Sequence, residues 1–102
     1  MRIGPGLALL AALALAGCAE RTPVDAAAEA SARNQALIVA GNSAYRSGKY
    51  QLAAKRYAAA AVAKKDDPAA YFGMGMALAR LGRIEEARAA YTRSRELARQ
   101  RP

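Results

Sequence analysis

The chain has 102 residues, 54% of them hydrophobic, and a formal net charge of +8 from 16 lysines and arginines against 8 acidic residues. It has no histidine and a single cysteine, Cys18. That composition removes Cys/His nucleophilic pairs, histidine bases and the usual zinc ligand sets, so neither an enzyme nor a bound metal or cofactor is expected. Alanine supplies 29 residues; it favours helix and buries little area, which points to one small all-helical domain with a thin core.

At the amino end Arg2 provides a positive start, and Ile3 to Ala16 form an uncharged apolar run. A membrane span needs about 20 apolar residues. This run is shorter and carries Gly4, Pro5 and Gly6 near its start, so it reads as an export signal over residues 1–17. Ala14-Leu15-Ala16 is a small-x-small site of the kind ordinary signal peptidase cuts, and that cleavage is the alternative, giving a soluble product. Leu15-Ala16-Gly17-Cys18 resembles the lipobox of bacterial lipoproteins. The resemblance implies cleavage before Cys18, lipidation of its thiol and acylation of its amino group. Two or three acyl chains hold a protein stably on a membrane, where one does not. Ala19 follows the cysteine, where an Asp would favour retention in the inner membrane. The resemblance therefore implies a lipid anchor in the outer membrane facing the periplasm.

Residues 18–33 read as the lipidated cysteine, a tether and an amino-terminal extension. Thr22-Pro23 opposes helix in this reading, and Asp25 followed by an alanine-rich stretch caps a helix that runs on past Arg33.

From Asn34 onward the chain repeats itself. A shift of 34 residues aligns Gly41 with Gly75, Arg46 with Arg80, Gly48 with Gly82, Ala53 with Ala87 and Tyr57 with Tyr91. In the first copy, residues 34–67, Leu37, Ala40, Gly41 and Ala44 face inward, Ser47-Gly48-Lys49 turns, and Tyr50, Ala53, Tyr57 and Ala60 form the returning face. Ala58 to Ala61 are expected to pack tightly and weakly. In the second copy, residues 68–102, Asp67 caps a helix with Pro68 at its first position. Tyr71, Met74, Gly75, Leu78 and Leu81 share one face of that helix. Gly82 closes it in a left-handed conformation, and Ile84, Ala87, Tyr91 and Leu97 set the inner face of the next. The carboxylate pairs Asp66-Asp67 and Glu85-Glu86 fall at helix starts, where capping and the helix dipole account for them without catalysis.

Gly41, Gly48, Ala53 and Tyr57, then Gly75, Gly82, Ala87 and Tyr91, resemble the small, glycine, alanine and aromatic positions of tetratricopeptide repeats. Leu37 and the late Pro68 depart from that pattern. The resemblance implies two helical hairpins, four antiparallel helices in all, and a concave face lined by the first helix of each hairpin. The residues matching that face are Ile38, Asn42, Tyr45 and Arg46, then Phe72, Met76 and Arg80. As a partner-binding groove these offer apolar anchors with polar and cationic groups between them, suited to a protein or peptide segment of an envelope complex. Similar lipoproteins serve assembly of pili, secretion systems and other outer-membrane complexes. Two thin repeats should be marginal alone, so a partner, a homodimer or low stability is expected. The alternative is a small structural lipoprotein that binds anionic lipid or cell-wall polymer through its basic helices. Nucleic acid is not an expected partner of an exported chain.

Overall fold

The structure, a computed structural model, describes residues 20–101. The export signal expected over residues 1–17, Cys18 and Pro102 lie outside the described residues. Those described form four helices joined by tight turns: α1 (Pro23–Arg46), α2 (Tyr50–Ala63), α3 (Pro68–Arg80) and α4 (Ile84–Gln100). None is long and apolar enough to cross a membrane. α1 pairs with α2 and α3 with α4, and α2 also packs across α3, so two hairpins stack into one all-α unit.

The extension and the first helix of the first repeat are one continuous helix of 24 residues. Its start corrects the sequence reading. Thr22, not Asp25, is the N-cap: its hydroxyl accepts the Asp25 backbone N–H at 3.1 Å, and Pro23 sits at the first helical position. Proline there sacrifices no hydrogen bond because that N–H has no intrahelical acceptor, so Thr22-Pro23 begins a helix instead of opposing one.

Both hairpin turns close alike. Gly48 has φ +76° and Gly82 φ +77°, the left-handed region that glycine enters without a Cβ penalty. Lys49 N–H donates to the Ala44 carbonyl at 2.9 Å and Gly48 N–H to that of Tyr45 at 3.0 Å. In the second turn Arg83 N–H reaches Leu78 and Gly82 N–H reaches Ala79 in the same pattern.

The core is thin, as the alanine content implies. It is built on Ala44, Ala53, Ala60, Ala61, Ala70, Ala77, Ala87 and Ala90 with Leu78 and Leu97, and Tyr57 is the largest fully buried side chain. Of the four consecutive alanines, Ala60 and Ala61 are buried and Ala59 faces solvent. Ile84, expected on the inner face, is 52% exposed. It lies at the end of the stack, where nothing among the described residues covers it.

Asn34 is 2% exposed, and its side-chain amide donates to the Ala60 carbonyl and to Asp67 Oδ2, each at 3.0 Å. The other Asp67 oxygen accepts the Ala69 N–H at 3.0 Å, which is the helix cap read from the sequence. One amide thereby ties α1, the end of α2 and the start of α3. Ser94 on α4 adds a hydroxyl donated to the Pro68 carbonyl at 2.9 Å.

Candidate functional site

The seven groove residues divide by what they touch. On α1, Ile38 is half-buried and packs against both the Tyr57 cluster and the Ala60–Ala70 cluster. It is therefore partly core, where the sequence reading made it an exposed anchor. Asn42 is half-buried and its Oδ1 accepts the hydroxyl proton of Tyr57, so one of its polar atoms is already committed. Burial pushes the Tyr57 hydroxyl above the usual tyrosine range; Tyr45 adds to this and the Arg46 charge opposes it. Tyr57 thus stays protonated and holds the Asn42 carbonyl, leaving the Asn42 amide as its free donor.

Tyr45, Arg80 and a residue the sequence reading put on the inner face, Tyr50, form one connected cluster on the surface. The Tyr45 and Tyr50 rings meet edge to face with centroids 5.2 Å apart. Arg80, reaching from α3, donates from Nε to the Tyr45 hydroxyl at 3.1 Å. Its guanidinium carbon lies 5.8 Å from the Tyr45 ring centre and 5.5 Å from that of Tyr50. The hydrogen bond to Tyr45, then the two tyrosines, raise the Arg80 pKa; an arginine is charged in any case, and these contacts hold that charge across the two repeats. Arg46 lies exposed in the last turn of α1. Neither Arg46 nor Arg80 is paired with a carboxylate among the described residues. An unpaired Arg80 over two tyrosines, with Arg46 exposed in the same helix turn as Tyr45, can take a carboxylate and the apolar face of a peptide.

The structure holds Phe72 and Met76 on the same helix as Arg80 but does not join Phe72 to the tyrosine cluster. Phe72 is 51% exposed, and its ring lies 5.5 Å from that of Tyr91 in its own repeat. Met76 is half-buried. Eight residues along α3 separate Phe72 from Arg80, about 12 Å at the helical rise. The surface therefore consists of a cationic, tyrosine-rich end and an apolar end, with Met76 between them. Tyr50 was missed because its spacing to Ala53 and Tyr57 put it on the inner face; the tight Gly48 turn returns it beside Tyr45 instead.

A separate hollow of about 200 Å³ lies at the open end of the stack, lined by Ala79, Ile84, Ala87, Arg88, Tyr91 and Arg95.

No curated protein and no solved structure matches the chain. The sequence model of one family, described as tetratricopeptide repeat, matches residues 38–102. Repeats of this family mediate protein–protein interaction and are typically non-enzymatic adaptors. With more than half of its length matched, and with two helical hairpins closed by left-handed glycines, the chain belongs to the tetratricopeptide repeat family.

Proposed function

We propose that this protein is a lipid-anchored adaptor of the bacterial envelope that captures a protein segment on the surface shared by α1 and α3. On this reading it assists assembly of a pilus, a secretion system or another outer-membrane complex. The observation that supports the capture surface best is Arg80 bridging the repeats onto Tyr45 and Tyr50 with no carboxylate partner among the described residues. An unpaired cation fixed over aromatic rings suits a segment bearing a carboxylate, with Phe72 and Met76 taking its apolar side chains. The anchor rests on Cys18 and the lipobox-like residues before it. Helix α1 starts only five residues after that cysteine, so an acyl anchor would hold the surface close to the membrane and raise the effective concentration of a small binding site.

The double variant Tyr45→Ala/Phe72→Ala is expected to abolish crosslinking of the protein to its envelope partner, with helicity by circular dichroism unchanged. Cys18→Ser is expected to move the protein from the membrane to the soluble fraction. Undiminished crosslinking in the first variant sinks the capture surface. Continued membrane retention in the second, even in high salt, sinks the acyl anchor.

A further inference from the structure

The two returning helices, α2 and α4, occupy equivalent places in the repeat, yet their solvent faces differ in charge. On α4 three carboxylates each hold an arginine one turn away: Glu86 with Arg83 at 2.6 Å, Glu85 with Arg88 at 3.5 Å and Glu96 with Arg93 at 3.6 Å. The 34-residue shift that relates the repeats places Gln51, Leu52 and Val62 of α2 at those three carboxylate positions. Residues 49–65 contain Lys49, Lys55, Arg56, Lys64 and Lys65 and no acidic residue. None of the five is paired with a carboxylate among the described residues.

The aliphatic replacements are not buried. Leu52 is 38% and Val62 77% exposed. At 3.6 residues per turn, Leu52, Lys55, Arg56, Ala59 and Val62 share the arc opposite Ala53, Tyr57, Ala60 and Ala61, which face the core. Because α2 packs across both α1 and α3, that arc points away from the surface those two helices share.

We propose that this face of α2 docks on an anionic lipid bilayer. Leu52 and Val62 enter the headgroup layer while Lys55 and Arg56, which lie between them on the same arc, meet lipid phosphates. A bilayer is favoured over an acidic protein by how the residue types are arranged. Protein interfaces gather apolar side chains in a central core with a polar rim. Here two exposed aliphatic side chains flank two cations along one exposed helix face with no apolar core at its centre, the arrangement of helices that lie in a headgroup layer, where long cationic side chains reach outward from an apolar stem. Docking needs no acyl chain and leaves Tyr45, Arg80 and Phe72 uncovered, so it stands apart from the adaptor reading and survives its failure.

The test is partition of the full chain onto vesicles of phosphatidylcholine alone and onto vesicles also containing phosphatidylglycerol. The wild type should prefer the anionic vesicles by about tenfold or more, and the preference should collapse as salt rises. Leu52→Glu/Val62→Glu, which gives α2 two of the three carboxylates of α4, should abolish the preference. Arg95→Gln/Arg99→Gln on α4 changes net charge by the same amount and should largely keep it. Equal loss in the two variants would mean that overall charge and not this face binds, and would overturn the proposal. So would a preference unchanged by Leu52→Glu/Val62→Glu. If that pair disturbs helicity, Val62→Glu alone carries the test, since its side chain is mostly in solvent. Binding to soluble polyglutamate as tight as to anionic vesicles, with vesicle binding unaffected by Leu52→Ser/Val62→Ser, would assign the face to an acidic protein and overturn the lipid.

Discussion

Tyr57 and Tyr91 stand at the same place in the two repeats and live in different surroundings. Tyr57 lies between two glycines: a Cβ at Gly41, in its own repeat, or at Gly73, in the next, would come within 2.8 Å and 2.4 Å of its ring. It is 1% exposed. Tyr91 has the matching glycine of its own repeat, where a Cβ at Gly75 would lie 2.6 Å from the ring, but its other side faces the hollow at the end of the stack. An identical residue is therefore a keystone in one repeat and half of an interface in the other. The difference shows that packing between neighbouring repeats adds to the contacts each repeat makes within itself, as expected of a stack whose units cannot each bury an apolar face alone.

Truncating each tyrosine separates these roles most strongly. Tyr57→Ala removes the largest fully buried side chain and its hydrogen bond to Asn42, and should cost about 3–5 kcal/mol, enough to unfold a small alanine-rich domain. Tyr91→Ala removes a ring that is only half-buried and should cost less, about half as much. Thermal denaturation of the two variants followed by circular dichroism checks this. Equal losses would show that the open end is closed in solution.

Glycine-to-alanine substitutions sharpen the comparison on a smaller scale. Alanine gains about 1 kcal/mol of helix propensity over glycine, so the sign depends on whether the tyrosine can give way. At Gly73 and Gly41 it cannot, because each glycine backs onto a ring pinned from the other side. Gly73→Ala should destabilise by about 2 kcal/mol and Gly41→Ala by somewhat less. Gly75→Ala meets its ring more closely than Gly41→Ala does, yet Tyr91 can swing toward the hollow. It should be near neutral, within about 0.5 kcal/mol. If urea titration finds Gly75→Ala costlier than Gly41→Ala, the open end is not free to yield.

The same contrast explains how much could be read from the sequence. The hairpins, their glycine turns and the Asp67 cap were legible because each is a local rule: a period, a left-handed position, a side chain one turn from an N–H. Gly73 was not, because the 34-residue shift aligns it with Val39, which is 62% exposed. A glycine is needed there only when a preceding repeat presses a tyrosine against it, and no tyrosine packs on Val39 among the described residues. Asn34 escaped for a related reason. Its partners Ala60 and Asp67 lie a whole repeat away, and an isolated asparagine carries no periodic mark. Ile84 fits the spacing of Ala87 and Tyr91, but periodicity cannot tell that the face it joins is left uncovered. In the groove, residue types and faces followed from the spacing. The Tyr50 contact depends on how the turn returns the chain, and Ile38's place in the core on how the hairpins stack.

A smaller effect distinguishes Tyr57 by its chemistry. Burial, with Tyr45 in support and Arg46 opposed, raises its hydroxyl pKa in the folded state. A group raised on folding favours the folded state while it remains protonated. Its contribution is complete below the unfolded value of about 10 and is lost as pH climbs through the higher folded one. Ionisation would also take from Asn42 the proton its carbonyl accepts and place a charge between two glycine-lined helix faces. Stability should therefore be insensitive to this group at neutral pH and fall with rising pH above about 10. Tyr57→Phe should lose the hydrogen bond, about 1 kcal/mol, at neutral pH and then show a flatter alkaline decline than the wild type. Denaturant midpoints for both proteins measured across that range decide the matter: parallel declines would assign the alkaline loss to other groups and leave Tyr57 important only for its shape.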